Sequence, residues 1–223
     1  MHPAAEVLGA TLPLAVAIAL SPLPVIALLL LLSGPRGTAA GTLFALSRVI
    51  ALAVLLGIVV AASDAVEHLT GAASLPAVVR LVIGAALVVL GLTRWRPRPD
   101  DGEPELPRWL ASITEAPPSR GLVLGAIVTI SNPKELAFLL AAGVSLGGSA
   151  VSGLQEVGIA ALLVVISALS VLAPLVAMVV APHRVAPALD RLRRWLTTNT
   201  SLVMGVLLIV IGTVVVGGAI GDL

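Results

Sequence analysis

The chain places ionisable side chains where its sequence is otherwise oily: Arg48 in one apolar run, and Lys134 and Glu135 side by side in another. A charge held in hydrocarbon costs about 3 kcal/mol or more unless it faces a partner or water, so each of these groups marks a site. The chemistry open to them is recognition of an anion by Arg48 and Lys134, and either ion pairing with Arg48 or proton carriage by Glu135. An ion pair between Arg48 and Glu135 would satisfy both members. Lys134, about 100° round a regular helix from Glu135, would then stay uncompensated and open to an anionic ligand. Arg80 lies nearer the end of its apolar run, where a long stem lets the charge reach the interface, and is a secondary candidate.

Two proline clusters accompany these charges. Lys134 and Glu135 follow Ser131-Asn132-Pro133, and the first apolar run contains Ser21-Pro22-Leu23-Pro24. Each proline removes a backbone donor and displaces the carbonyl four residues earlier, which inside a bilayer must be met by protein, water or ligand. Asn132 stands before a proline, where the α conformation is disfavoured, so its amide is placed to cap a half-helix starting at Pro133. The positive end of such a half-helix favours an anion. A purely structural kink is the alternative at both clusters. The predicted binding set is therefore Ser21, Pro22, Pro24, Arg48, Asn132, Pro133 and Lys134, with Glu135 as proton carrier or ion-pair partner.

Composition says what must position these residues. Hydrophobic residues make up 58% of the 223 and charged residues 11%, with a mean hydropathy of +1.12, too apolar for a soluble domain of this length. A nucleic-acid partner is not expected. The absence of cysteine excludes disulfides, thiolate metal sites and thiol relays. His2, His68 and His183 are scattered with no metal-ligand spacing, and neither a nucleotide motif nor a nucleophile elbow is present. An enzyme, a metal site or a bound cofactor is accordingly not expected, and any energy for work must come from a gradient or a partner.

An all-α membrane protein follows. Six runs have the roughly 20 apolar residues that a spanning helix needs, at about 8–32, 39–62, 76–94, 121–146, 155–181 and 199–220. The N-terminal run is too long for a signal peptide and lacks a basic leader, so it reads as a retained first helix. Basic residues gather in the odd-numbered connections, at Arg36, at Arg94 to Arg120 and at Arg184 to Arg194, while the other connections and the tails carry only acidic charges. The positive-inside rule then puts those connections in the cytoplasm and both termini outside, in a bacterial inner membrane. Two cytoplasmic segments, Leu106 to Ile113 and Arg184 to Leu196, have the periodicity of interfacial amphipathic helices.

Pro22 and Pro133 both fall near mid-membrane, each in the first helix of a three-helix half, and the halves run in opposite directions. That is the outline of a 3+3 inverted repeat, with residues 1–94 as the first repeat, 95–119 as a cytoplasmic linker and 120–223 as the second. Gly143 with Gly147, and Ala53 with Gly57, form small-residue surfaces that pack helices within the chain or join two protomers as a homodimer.

The segment from Leu20 through Ser21-Pro22-Leu23-Pro24 to Ser33, followed by Gly34-Pro35-Arg36, resembles the opening motif of the peptidoglycolipid- or sulfolipid-addressing (GAP) family of the LysE exporter superfamily. Asn132-Pro133-Lys134, followed by an apolar run and Ala141-Ala142-Gly143, resembles the second motif of that family. The resemblance implies export or surface delivery of an actinobacterial cell-envelope glycolipid, without covalent chemistry, on a LysE-like inverted-repeat fold. Ser21, Pro22, Pro24, Asn132, Pro133 and Lys134 fall on its motif positions. Two other functions are open: a small-solute exporter of amino-acid-like substrates, and a non-transporting scaffold for a lipid-export machine. With aromatics at 2% there is little material for side-chain recognition, which favours the lipid.

Overall fold

The computed structural model describes residues 3–63, 77–94, 117–151 and 153–221, and among these every regular element is an α-helix. In chain order they are α1 (Pro3–Ala19), α2 (Pro22–Leu32), α3 (Gly37–Ala61), α4 (Ala77–Arg94), α5 (Pro118–Ile130), α6 (Pro133–Gly147), α7 (Leu154–Val180), α8 (Pro182–Thr198) and α9 (Thr200–Gly221). The helices α3 and α7 are each long and apolar enough to cross a membrane alone. Counting bent pairs as single spans brings the candidates up to five. The protein is thus an all-helical membrane protein. The predicted amphipathic segment at 106–113 lies outside the described residues.

Both expected helix breaks are present. The chain turns by 43° between α1 and α2 and by 68° between α5 and α6. In each case the second helix starts on a proline, whose fixed φ suits the first helical position and whose missing N–H would have been an orphan there.

Two compact units form, one of 1–66 with 106–194 and one of 67–105 with 195–223. In the first, α2 is the central rod. All of its residues except Leu23 are buried, which explains a sequence that is apolar on every side rather than on one stripe. The chain reverses after it through a tight turn, and Gly37 and Gly41 of α3 lie against Leu32 and Leu28 of α2. On its other side α3 meets α5 and α6 in ascending register. Gly121 rests on Ala40, Gly125 on Phe44, Gly143 on Val59 and Gly147 on Val60 and Ser63. A Cβ on any of these four glycines would overlap α3, so the glycines set how near the backbones come. The ascending register means that α3 runs parallel to α5 and α6. Helix α7 runs the other way, since Leu175 near its end faces Gly41 near the start of α3. Apolar side chains of α1, α3, α6 and α7 complete the core, among them Ile18, Leu52, Leu146 and Leu163.

The Gly143 and Gly147 surface therefore serves packing within the chain. Gly57, by contrast, has nothing within 4 Å of where a Cβ would stand, and Ala53 beside it is exposed.

The second unit is a close antiparallel pair of α4 and α9. Gly84 lies against Gly212 and Val216, and Gly91 against Gly205 and Ile209. Helix α8 carries the expected amphipathic pattern in part: Val185 and Leu189 are half-buried, Leu196 is buried and Arg184, Arg191 and Arg194 are exposed, but Leu192, expected on the apolar stripe, is exposed as well. Asp190 pairs with Arg193 at 2.8 Å and also with Arg194.

Candidate functional site

The two breaks touch. Ser21 is the residue before α2 and Asn132 the residue before α6, and the Asn132 Nδ2 amide donates to Ser21 Oγ at 3.1 Å across 111 positions of sequence. Local grammar explains why these side chains are free to meet. A serine before a helix ordinarily accepts from the N–H of the second or third helical residue. Here the first and third are Pro22 and Pro24, which have no N–H, the second is Leu23, which keeps its N–H, and Ser21 makes no capping bond to it. Its hydroxyl, on a residue only 1% exposed, is left to accept from Asn132. The same two prolines remove donors that a helix starting in the protein interior would otherwise leave unmet.

Asn132 works in three directions. Its Oδ1 accepts from the Glu135 backbone N–H at 3.5 Å, a long capping bond, and its Nδ2 donates both to Ser21 and to Glu135 Oε1 at 3.1 Å. The cap predicted from the asparagine before Pro133 is thus formed, and the glutamate three residues on reaches back to the asparagine's side-chain amide rather than, as in a capping box, to its backbone N–H.

Glu135 and Arg48 are both 0% exposed and form the ion pair that the sequence offered as one of two accounts, with Arg48 Nη1 donating to Glu135 Oε2 at 2.9 Å. The same Nη1 donates to Thr129 Oγ1 at 3.1 Å, and Thr129 in turn donates to the Gly125 carbonyl at 2.8 Å. Arg48 thus joins α3 to the helices on both sides of the break, one turn before it at Thr129 and one turn after it at Glu135. Ser47 adds a further link by donating to the Leu122 carbonyl at 2.5 Å.

This pairing is incomplete. Among the described residues, the buried side-chain nitrogens that lack a hydrogen-bond partner are Arg48 Nε, Arg48 Nη2 and Lys134 Nζ. The Lys134 ammonium lies over the Phe138 ring, 5.8 Å from its centroid, at the outer edge of a cation–π contact. As the helical geometry required, Lys134 takes no part in the pair beside it.

Of the sequence-predicted set, Ser21, Asn132, Arg48 and Glu135 are joined in one hydrogen-bonded chain. Pro22, Pro24 and Pro133 shape the two helix starts. Lys134 stands next to the chain without bonding to it. Arg80 is on α4, in the other unit, and its side chain lies outside the described residues. Thr129 and Ser47 belong to the network but were not singled out from sequence. A threonine one turn before Asn132, and a serine beside an intramembrane arginine, are the signals that would have found them.

Along α6 the network gives way to oily surroundings. A small cavity lies one turn beyond Glu135, among Ala15, Ile18, Leu56, Leu139 and Ala142, with Ser167 as its one hydroxyl. The arrangement can hold an anion against fixed cations, and it contains no nucleophile and base in contact.

Compared with known families, residues 11–221 match the family model described as Sap, sulfolipid-1-addressing protein. No curated protein and no solved structure matches the chain.

Proposed function

The chain belongs to the sulfolipid-1-addressing protein family, and from that premise we propose that it is a transporter that exports or delivers a cell-envelope lipid with a polar or anionic headgroup. The observation that carries this reading is the 3.1 Å bond between Asn132 and Ser21, which joins two broken helices at their breaks. Broken helices that meet inside a bilayer create polar ground where a continuous helix would offer none. Transporters use such ground near the midplane to hold substrate between oppositely oriented repeats. Here the polar ground carries Arg48, Glu135 and the unpaired Lys134, and the neighbouring helix surfaces are apolar, as a headgroup with its acyl chains requires.

The packing favours the 3+3 inverted repeat on which the proposal rests. In that reading α1–α2 and α5–α6 are equivalent broken helices, α3 and α7 are equivalent unbroken ones, and α4 and α9 are the third helices of the two halves. The directions agree: α2 and α7 run opposite to α3, α5 and α6, as inversion demands. A LysE-like fold in the inner membrane, with both termini outside and the basic connections in the cytoplasm, completes the reading. Glu135 is then the carboxylate able to carry a coupling proton.

The test is flux through the purified protein alone. Liposomes containing it, with a labelled anionic glycolipid in one leaflet, are challenged with a membrane-impermeant quencher. Protein-dependent movement of label between leaflets supports transport. Flux equal to that of empty liposomes for every envelope lipid tried would overturn it in favour of a scaffold role.

A further inference from the structure

Arg48 uses only one corner of its guanidinium. Glu135 and Thr129 both bond to Nη1, while Nε and Nη2 have no partner and the residue is 0% exposed. Nε–H and one Nη2–H point the same way from the guanidinium plane's free side and form a two-pronged donor edge, spaced to take two oxygens of one carboxylate, phosphate or sulfate group. Leaving such an edge buried and unmet is costly, because each of its donors has given up water without gaining an acceptor. Glu135 cannot meet it, because its Oε2 is on Nη1 and its Oε1 on Asn132.

We propose that the Nε/Nη2 edge of Arg48 is an oxyanion subsite which takes a single-charged headgroup group, a sulfate ester, phosphodiester or carboxylate, in a bidentate grip. The proposal rests on the transport reading above and specifies the chemistry of the same site. Two features fix the charge of the ligand. Glu135 already neutralises one of the two cations Arg48 and Lys134, so the cluster holds a surplus of one positive charge, which a monoanion cancels and a dianion or zwitterion does not. Lys134, the residue before Glu135, supplies that surplus with an ammonium that has no hydrogen-bond partner. Because Arg48 is fully covered, the ligand reaches the edge only when the helices packed around it part.

The direct test observes the edge itself. In nanodiscs of phosphatidylcholine, the Arg48 Nε–H resonance, assigned by its disappearance in Arg48→Lys, is followed while a sulfated glycolipid, phosphatidylglycerol or inorganic sulfate is added. The expected result is a saturable shift with the two monoanionic lipids and none with phosphatidylcholine alone. A comparable shift with inorganic sulfate, a dianion, would overturn the monoanionic lipid headgroup as the ligand and assign the subsite to free oxyanions. Arg48→Lys, which keeps the charge but not the fork, should bind the sulfated lipid about tenfold more weakly or worse, the equivalent of one lost charged hydrogen bond. An Nε–H that exchanges with water and stays unmoved by every oxyanion means an edge solvated by water alone, and overturns the proposal. Because this readout is made on the wild-type protein, it stands even if Arg48→Lys does not fold. Lipid flux measured on the same preparation separates the two readings: flux without a shift removes only the subsite, and a shift without flux removes only transport.

Discussion

Removing one member of the Arg48 and Glu135 pair should be far more damaging than removing both. In Glu135→Ala, a guanidinium with no exposure loses its 2.9 Å partner and keeps only Thr129 at 3.1 Å. Arginine cannot shed its proton, so the full penalty for an uncompensated buried charge applies, about 3–5 kcal/mol. In Arg48→Met, the carboxylate loses that partner and keeps only Asn132. Replacing both, as Arg48→Met with Glu135→Leu, removes both charges and should return stability to within about 1 kcal/mol of the parent, or above it. The assay is reversible unfolding in mixed micelles of increasing sodium dodecyl sulfate fraction, run as a double-mutant cycle. A double variant whose loss equals the sum of the singles would refute the reasoning, because the two groups would then be acting independently. The repaired double variant should still fail in the flux assay, which separates folding from function.

Other predictions follow from single contacts. Asn132→Ala removes the Ser21 bond, the cap and one Glu135 bond together, and should cost about 2 kcal/mol in the same unfolding assay. Pro24→Ala restores an N–H within reach of Ser21, so the coupling between Ser21 and Asn132 in a double-mutant cycle should drop towards zero while overall stability changes by only about 1 kcal/mol. Gly125→Leu drives a side chain into the α3 backbone at Phe44 and should cost about 3 kcal/mol or abolish the monodisperse folded protein on size exclusion. Gly57→Leu, facing open space, should leave the elution profile unchanged and stability within about 0.5 kcal/mol.

What the sequence reveals about this protein is what short-range rules encode. A proline fixes its own φ and its predecessor's conformation, so the breaks at Pro22 and Pro133 and the cap by Asn132 are local facts, visible without any fold. The Arg48 to Glu135 pair was legible as one of two accounts, because an isolated intramembrane charge demands a partner and few were available. The bond between Ser21 and Asn132 was not legible, because nothing in either neighbourhood specifies a contact 111 positions away. Thr129 escaped for a different reason. A threonine in an apolar helix usually satisfies itself on the carbonyl four residues back, and this one does so with Gly125 while also accepting from Arg48. The glycines that bring α4 against α9 are common in membrane helices, and only the register of two packed helices distinguishes Gly84 and Gly212 from Gly57.

The way α3 lies along its neighbours has a mechanical consequence. It is a single unbroken helix that is pressed against α5 through Gly121 and Gly125 and against α6 through Gly143 and Gly147, on either side of the fracture at Ser131 and Asn132. It therefore acts as a splint. The 68° elbow cannot flex without prising four close glycine contacts away from the helix beside it, so the proline break there is a set corner and not a joint.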